Sequence, residues 1–109
     1  MDDLFVERVL TVVESIPRGR VCSYGDIAEL LEVGPRQIGA VMSAYGGAVC
    51  WWRVTNARGE MPAHLIDEAR EHWLGEGIAI ASHGRGCRID AHRADLTRLA
   101  QAVHDTMEP

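Results

Sequence analysis

Three cysteines, five histidines and two adjacent tryptophans are the side chains of this sequence with distinctive chemistry to offer. Cys22, Cys50 and Cys87 are odd in number and widely spaced, which argues against a disulfide framework and leaves each as a candidate thiol. A thiolate is a strong nucleophile for group transfer. Cys50 sits in the most unusual stretch, Ala48-Val49-Cys50-Trp51-Trp52-Arg53-Val54-Thr55-Asn56. The neighbouring indoles donate hydrogen bonds but have no lone pair free for attack. On a strand, successive side chains would point to opposite faces. Two readings follow: the pair packs a small core from both sides, or one ring lines a cavity or meets a partner. His83, Cys87, Asp90 and His92 are metal-ligating types, but their spacing matches no zinc framework and Gly84-Arg85-Gly86 between them resembles a loop tip. Neither a metal nor a cofactor is expected.

The elements that must hold the tryptophan stretch are mostly helical. Apolar residues at 5, 9, 12, 13 and 16 form a helical stripe over Leu4 to Ile16, ended by Pro17-Arg18-Gly19. Ser23 is placed to cap a second helix, with Asp26 three residues on, and Ile27, Ala28, Leu30 and Leu31 on its inner side. Val33-Gly34-Pro35 interrupts, and Pro35 favours a fresh start for a short helix over Arg36 to Met42. Two short helices joined by a Gly-containing turn form a helix-turn-helix pattern. Beyond the tryptophans, Asn56-Ala57-Arg58-Gly59 reads as a turn and His64 to Leu74 as a helix. Ile78 to Ala81 and Cys87 to Ile89 read as the arms of a β-hairpin. Leu96, Leu99, Ala100 and Val103 mark a last helix within 91 to 107.

At 109 residues the chain is sized for one domain. With 47% hydrophobic and 25% charged residues, it has the composition of an ordinary soluble globule. No apolar run approaches the roughly 18 residues of a membrane span. Met1-Asp2-Asp3-Leu4 lacks the basic start of a secretory signal, so a cytoplasmic location and no membrane association are expected. The net charge of −5 argues against extensive phosphate contact. Yet all eleven basic residues are arginines, and residues 18 to 58 hold five of them against three acids, so a locally positive face fits within an acidic body.

Ile16-Pro17-Arg18-Gly19-Arg20-Val21-Cys22-Ser23-Tyr24-Gly25-Asp26-Ile27-Ala28 resembles the IP-x-G-x-V-x-(S/T)-YG-(D/E)-IA segment of the O6-alkylguanine-DNA alkyltransferases. Pro35-Arg36-Gln37-Ile38-Gly39 resembles their (P/A)R-x-VG segment, and Glu76-Gly77-Ile78 their EGV. Cys50-Trp51-Trp52-Arg53-Val54 falls where those enzymes have Pro-Cys-His-Arg-Val. The resemblance implies a mainly α fold, a winged helix-turn-helix DNA-binding domain with a small β-hairpin, over residues 1 to 90. A helical extension over 91 to 109 lies beyond it.

Where the enzymes carry the alkyl-accepting cysteine, this chain has Trp51; where they carry its activating histidine, it has Trp52. That resembles the alkyltransferase-like proteins, which bind O6-alkylguanine without repairing it. The resemblance therefore implies a non-enzymatic sensor of O6-alkylguanine in double-stranded DNA that works by minor-groove nucleotide flipping and flags the site for nucleotide excision repair proteins. A monomer is expected. Cys50 and Trp52 depart even from that subfamily, which usually has Pro and His there. Two alternatives stay open: alkyl transfer to Cys50, or a winged-helix DNA or protein interaction domain without lesion specificity.

The same resemblance assigns roles. Arg36 enters the gap left by the extruded base, where a planar guanidinium can stack and bond with the orphaned cytosine. Tyr24 crowds the phosphate beside the flipped nucleotide. Ser23, Gln37 and Gly39 join them on the DNA-binding face. Trp51, Trp52, Tyr24 and His64 are expected to form the lesion pocket. Arg53, Asn56 and Glu76 are expected to hold the loop, and Trp73 to lie in the core.

Overall fold

A computed structural model describes residues 2–107. The first helix, α1 (Asp3–Ser15), is capped by Asp2, whose carboxylate accepts the Leu4 amide at 2.9 Å. Its stripe of Val6, Val9, Val12 and Val13 is buried. The predicted cap at Ser23 is a full capping box: its hydroxyl accepts the Asp26 amide at 3.0 Å, and the Asp26 carboxylate accepts the Ser23 amide at 2.9 Å. It opens α2 (Tyr24–Leu31), which ends on Glu32 in the left-handed region at φ 59°. Pro35 then starts α3 (Pro35–Tyr45), which runs three residues past the predicted end at Met42 and packs on α2 as the second arm of the helix-turn-helix.

The hydrophobic interior has two parts. The first gathers α1, α2 and α3 around Val9, Val12, Ile27, Ile38 and Val41. The last helix, α6 (Leu96–Met107), lies against α1 and α2 and adds Leu99 and Val103 to this same core. Of the extension predicted over 91 to 109, residues 108 and 109 lie outside those described. The second part forms around Trp73 on α4 (Ile66–Glu76), with Val21, Met61, Ala69, Ile78, Cys87 and Ile89. Residues 49 to 54 bridge the two, since Val49 and Val54 belong to the first and Trp51 and Trp52 pack on the second.

A short parallel sheet pins this bridge. Strand β1 (Cys22–Ser23) pairs with β2 (Val54–Thr55), Cys22 opposite Val54 and Ser23 opposite Thr55. This pair is the sheet of the fold, and the predicted hairpin is reduced to a single antiparallel bridge, Ile80 to Cys87. Around it Ala81 donates to the Gly86 carbonyl at 2.9 Å and Arg88 to the Ala79 carbonyl at 2.8 Å. The ladder stops because the second arm is diverted: Gly86 also bridges Glu60, and Ile89 begins the short α5 (Ile89–His92). Gly59, at φ 79°, permits that crossing, because a Cβ there would come within 2.3 Å of the Cys87 carbonyl oxygen. Among the described residues no helix is long and apolar enough to cross a membrane.

Candidate nucleic-acid interface

Trp51 and Trp52 do not lie on a strand. Trp51 donates its amide to the Val49 carbonyl at 2.7 Å, and Cys50 between them has φ −74° and ψ 62°, an inverse γ-turn. A single 3-10 turn, Trp51–Arg53, follows. Successive side chains on such a turn diverge by about 120°, so the two indoles leave in different directions.

Trp51 lines a cavity of about 500 Å³ between the two halves of the core. Tyr24 from α2 and Gly39, Met42 and Ser43 from α3 form one side; Trp51, Met61, Leu65 and His64 form the other. That volume suits a nucleobase-sized ligand. Burial raises the phenol pKa of Tyr24, so its hydroxyl stays protonated, and it bonds to no described residue. Tyr24, Trp51 and His64 all line this one cavity.

Trp52 does not line the cavity. Its ring stacks on His72 with centroids 3.6 Å apart and 4° between planes, and its Nε1 donates to Glu76 Oε2 at 2.7 Å. The placement in the lesion pocket is therefore corrected: the 3-10 turn carries Trp52 toward α4, where a carboxylate satisfies its N–H. Trp51 meets both rings edge-on, at 5.8 Å and 84° to Trp52 and at 5.8 Å and 83° to His72. Trp73 completes the frame by donating its Nε1 to the Trp52 carbonyl at 2.7 Å. His72 was not singled out in the sequence, and nothing short of the helical register of α4 signals its partnership with the indoles.

Glu76 is the hub of this frame. Beyond Trp52 it accepts Arg53 Nε at 3.0 Å, Arg53 Nη2 at 2.8 Å and the Gly19 amide at 2.8 Å, while Arg53 Nη1 donates to the Ile16 carbonyl at 2.9 Å. Both side chains are largely buried, 13% and 6% exposed for Arg53 and Glu76. Burial raises the Glu76 pKa, but the hydrogen bonds from Arg53, Gly19 and Trp52 and the Arg53 charge outweigh it and hold the carboxyl below its usual value. Asn56 fixes the following turn, its Oδ1 accepting the amides of Arg58 and Glu60, both at 2.9 Å.

No cysteine faces the cavity. Cys22 is buried, and burial followed by the Asp26 carboxylate pushes its thiol up to about 12. Burial pushes Cys87 up to about 11. Cys50, at the centre of the γ-turn, is half-buried and outside the cavity lining. His83 and His92 are engaged in loop hydrogen bonds, accepting the amides of Arg85 and Ala79. Among the described residues no group of three His, Cys, Asp or Glu side chains is arranged for a metal ion.

Beside the cavity, Arg36 and Gln37 sit in the first turn of α3, both exposed. Gln37 closes back on the Gly34 amide at 3.0 Å. Arg36 makes no ion pair or hydrogen bond among the described residues. Ser23 is buried and occupied as the α2 cap, so its side chain is turned to its own helix. Gly39 follows one turn after Arg36, where a Cβ would meet nothing within 4 Å, so its place on this face does not depend on lacking a side chain.

Residues 4–77 match the family model described as 6-O-methylguanine DNA methyltransferase, DNA binding domain. The chain belongs to that family. A DNA base-flipping protein of Escherichia coli (strain K12) is 33% identical over 98 residues, covering 84% of this chain and 74% of that protein. A DNA base-flipping protein of Vibrio parahaemolyticus is 27% identical, covering 76% and 89%. Among solved structures, S. pombe Atl1 in complex with damaged DNA containing O6-carboxymethylguanine superposes with TM-score 0.66 and 27% identity, over 91% of this chain and 95% of that one. A second S. pombe ATL–DNA complex gives 0.62 and 28% over the same shares. These relatives make the chain an alkyltransferase-like member of the family.

Proposed function

We propose that this protein binds O6-alkylguanine in duplex DNA, extrudes the nucleotide through the minor groove into the cavity between α3 and the Trp51 turn, and transfers nothing. The observation that carries the reading is Trp51, an indole without nucleophilic capacity, on the cavity wall where a reactive sulfur would have to stand. Extruding a base costs a few kcal/mol of pairing and stacking, less at a damaged pair. Close contact with an aromatic ring returns about 1–3 kcal/mol. Tyr24, at the amino-terminal end of α2 and on the cavity lining, crowds the backbone, and the guanidinium of Arg36, without a partner among the described residues, fills the vacated stack.

The geometry disfavours transfer to Cys50, because that side chain is absent from the cavity wall. A binder that leaves the lesion in place needs a second activity to remove it, which supports a role in marking sites for nucleotide excision repair. Paired dissociation constants on O6-methylguanine and matched guanine duplexes at one stated salt concentration test the reading. Tighter binding to the lesion is expected. Equal affinity would reduce the protein to a general DNA or protein interaction domain.

A further inference from the structure

One charge faces the cavity. Glu68, on the first turn of α4, is the single formally charged side chain among its lining residues, and His64 one helical turn earlier is the only imidazole. Neither makes a hydrogen bond or ion pair among the described residues, so no cation neutralises the carboxylate. Part of the remaining wall is adaptable: Met42 and Met61 have unbranched, flexible side chains that fit groups of differing size. We infer that Glu68 sets the lesion preference of this cavity, admitting uncharged O6-alkyl groups and disfavouring anionic ones such as carboxymethyl, the substituent in the Atl1 complex. Two carboxylates brought into one partly desolvated cavity repel, whereas a methyl group carries no charge for Glu68 to repel.

This inference rests on the lesion-binding reading and adds to it the chemical class of the alkyl group. Glu68 is exposed, so solvent screens it, and the effect is that of one surface charge pair, about two- to fivefold in affinity. It weakens as salt rises.

The test measures dissociation constants for three duplexes of one sequence, holding guanine, O6-methylguanine or O6-carboxymethylguanine, with wild type and Glu68→Gln at low and high salt. The expected result is tighter binding of the methyl lesion than the carboxymethyl lesion by wild type, with the gap narrowed in Glu68→Gln and at high salt. Equal affinity for the two lesions, a preference for carboxymethyl, or a gap unchanged in Glu68→Gln overturns the role of Glu68 while leaving lesion binding intact. If neither lesion binds better than guanine, both the inference and the reading beneath it fail.

Discussion

Trp52 Nε1 donates to Glu76 Oε2 at 2.7 Å, and the stacked Trp52–His72 pair in turn presents a surface against which Trp51 stands edge-on. The cavity wall is thus fixed from behind by a carboxylate 24 residues away in sequence. Glu76 holds together the turn at Gly19, the guanidinium of Arg53 and the indole that backs the pocket.

Replacing Glu76 by Gln leaves the Arg53 charge buried with only the Ile16 carbonyl and weakened partners. The expected loss is about 3 kcal/mol of folding stability, read from denaturant midpoints at neutral pH. Because the folded carboxyl lies below its ordinary value, its stabilisation is present above the unfolded pKa of about 4.3 and is lost as pH falls through the folded pKa. The acid limb of the stability profile should therefore be shallower in Glu76→Gln than in wild type.

Trp51 and Trp52 should separate function from stability. Trp52→Phe keeps a stacking ring but loses the bond to Glu76, for a cost of about 1–2 kcal/mol in stability with lesion preference retained. Trp51→Ala removes cavity wall and should weaken lesion binding by about tenfold or more, the scale of one aromatic contact with a base. Melting curves and duplex titrations of both variants check the contrast.

Arg36 has no partner to lose among the described residues. Arg36→Ala should change stability by no more than about 0.5 kcal/mol. Lesion binding should weaken about ten- to hundredfold, since the vacated base position is left unfilled. Unchanged affinity would remove Arg36 from the flipping account.

Glu32 ends α2 in the left-handed region, which disfavours any residue with a Cβ. Glu32→Gly should raise stability by about 0.5 kcal/mol, the relieved strain being partly offset by glycine's greater freedom when unfolded. Urea denaturation at neutral pH measures it.

The helix-turn-helix was legible because its signals are local: Ser23 and Asp26 satisfy each other three residues apart, and Pro35 lacks the amide that a helix start leaves unbonded. Trp51 was legible through the motif around it. Trp52 was not, because its direction depends on the γ-turn at Cys50 and on a carboxylate distant in sequence. The hairpin failed for a similar reason: the pattern at Ile78 to Ile89 is local, whereas the hydrogen bonds of Gly86 and Cys87 are shared with Glu60 and Gly59. The parallel pairing of Cys22–Ser23 with Val54–Thr55 leaves no mark in either two-residue strand. Glu68 carries no signal of its own in the sequence and comes beside the cavity only through the placement of α4.

The intact mass of the protein recovered from a saturated complex with O6-methylguanine duplex tests the central claim most directly. The account predicts an unchanged mass and a lesion still present in the DNA. One methyl group gained on Cys50, or on either buried cysteine, with guanine restored in the duplex, would contradict it.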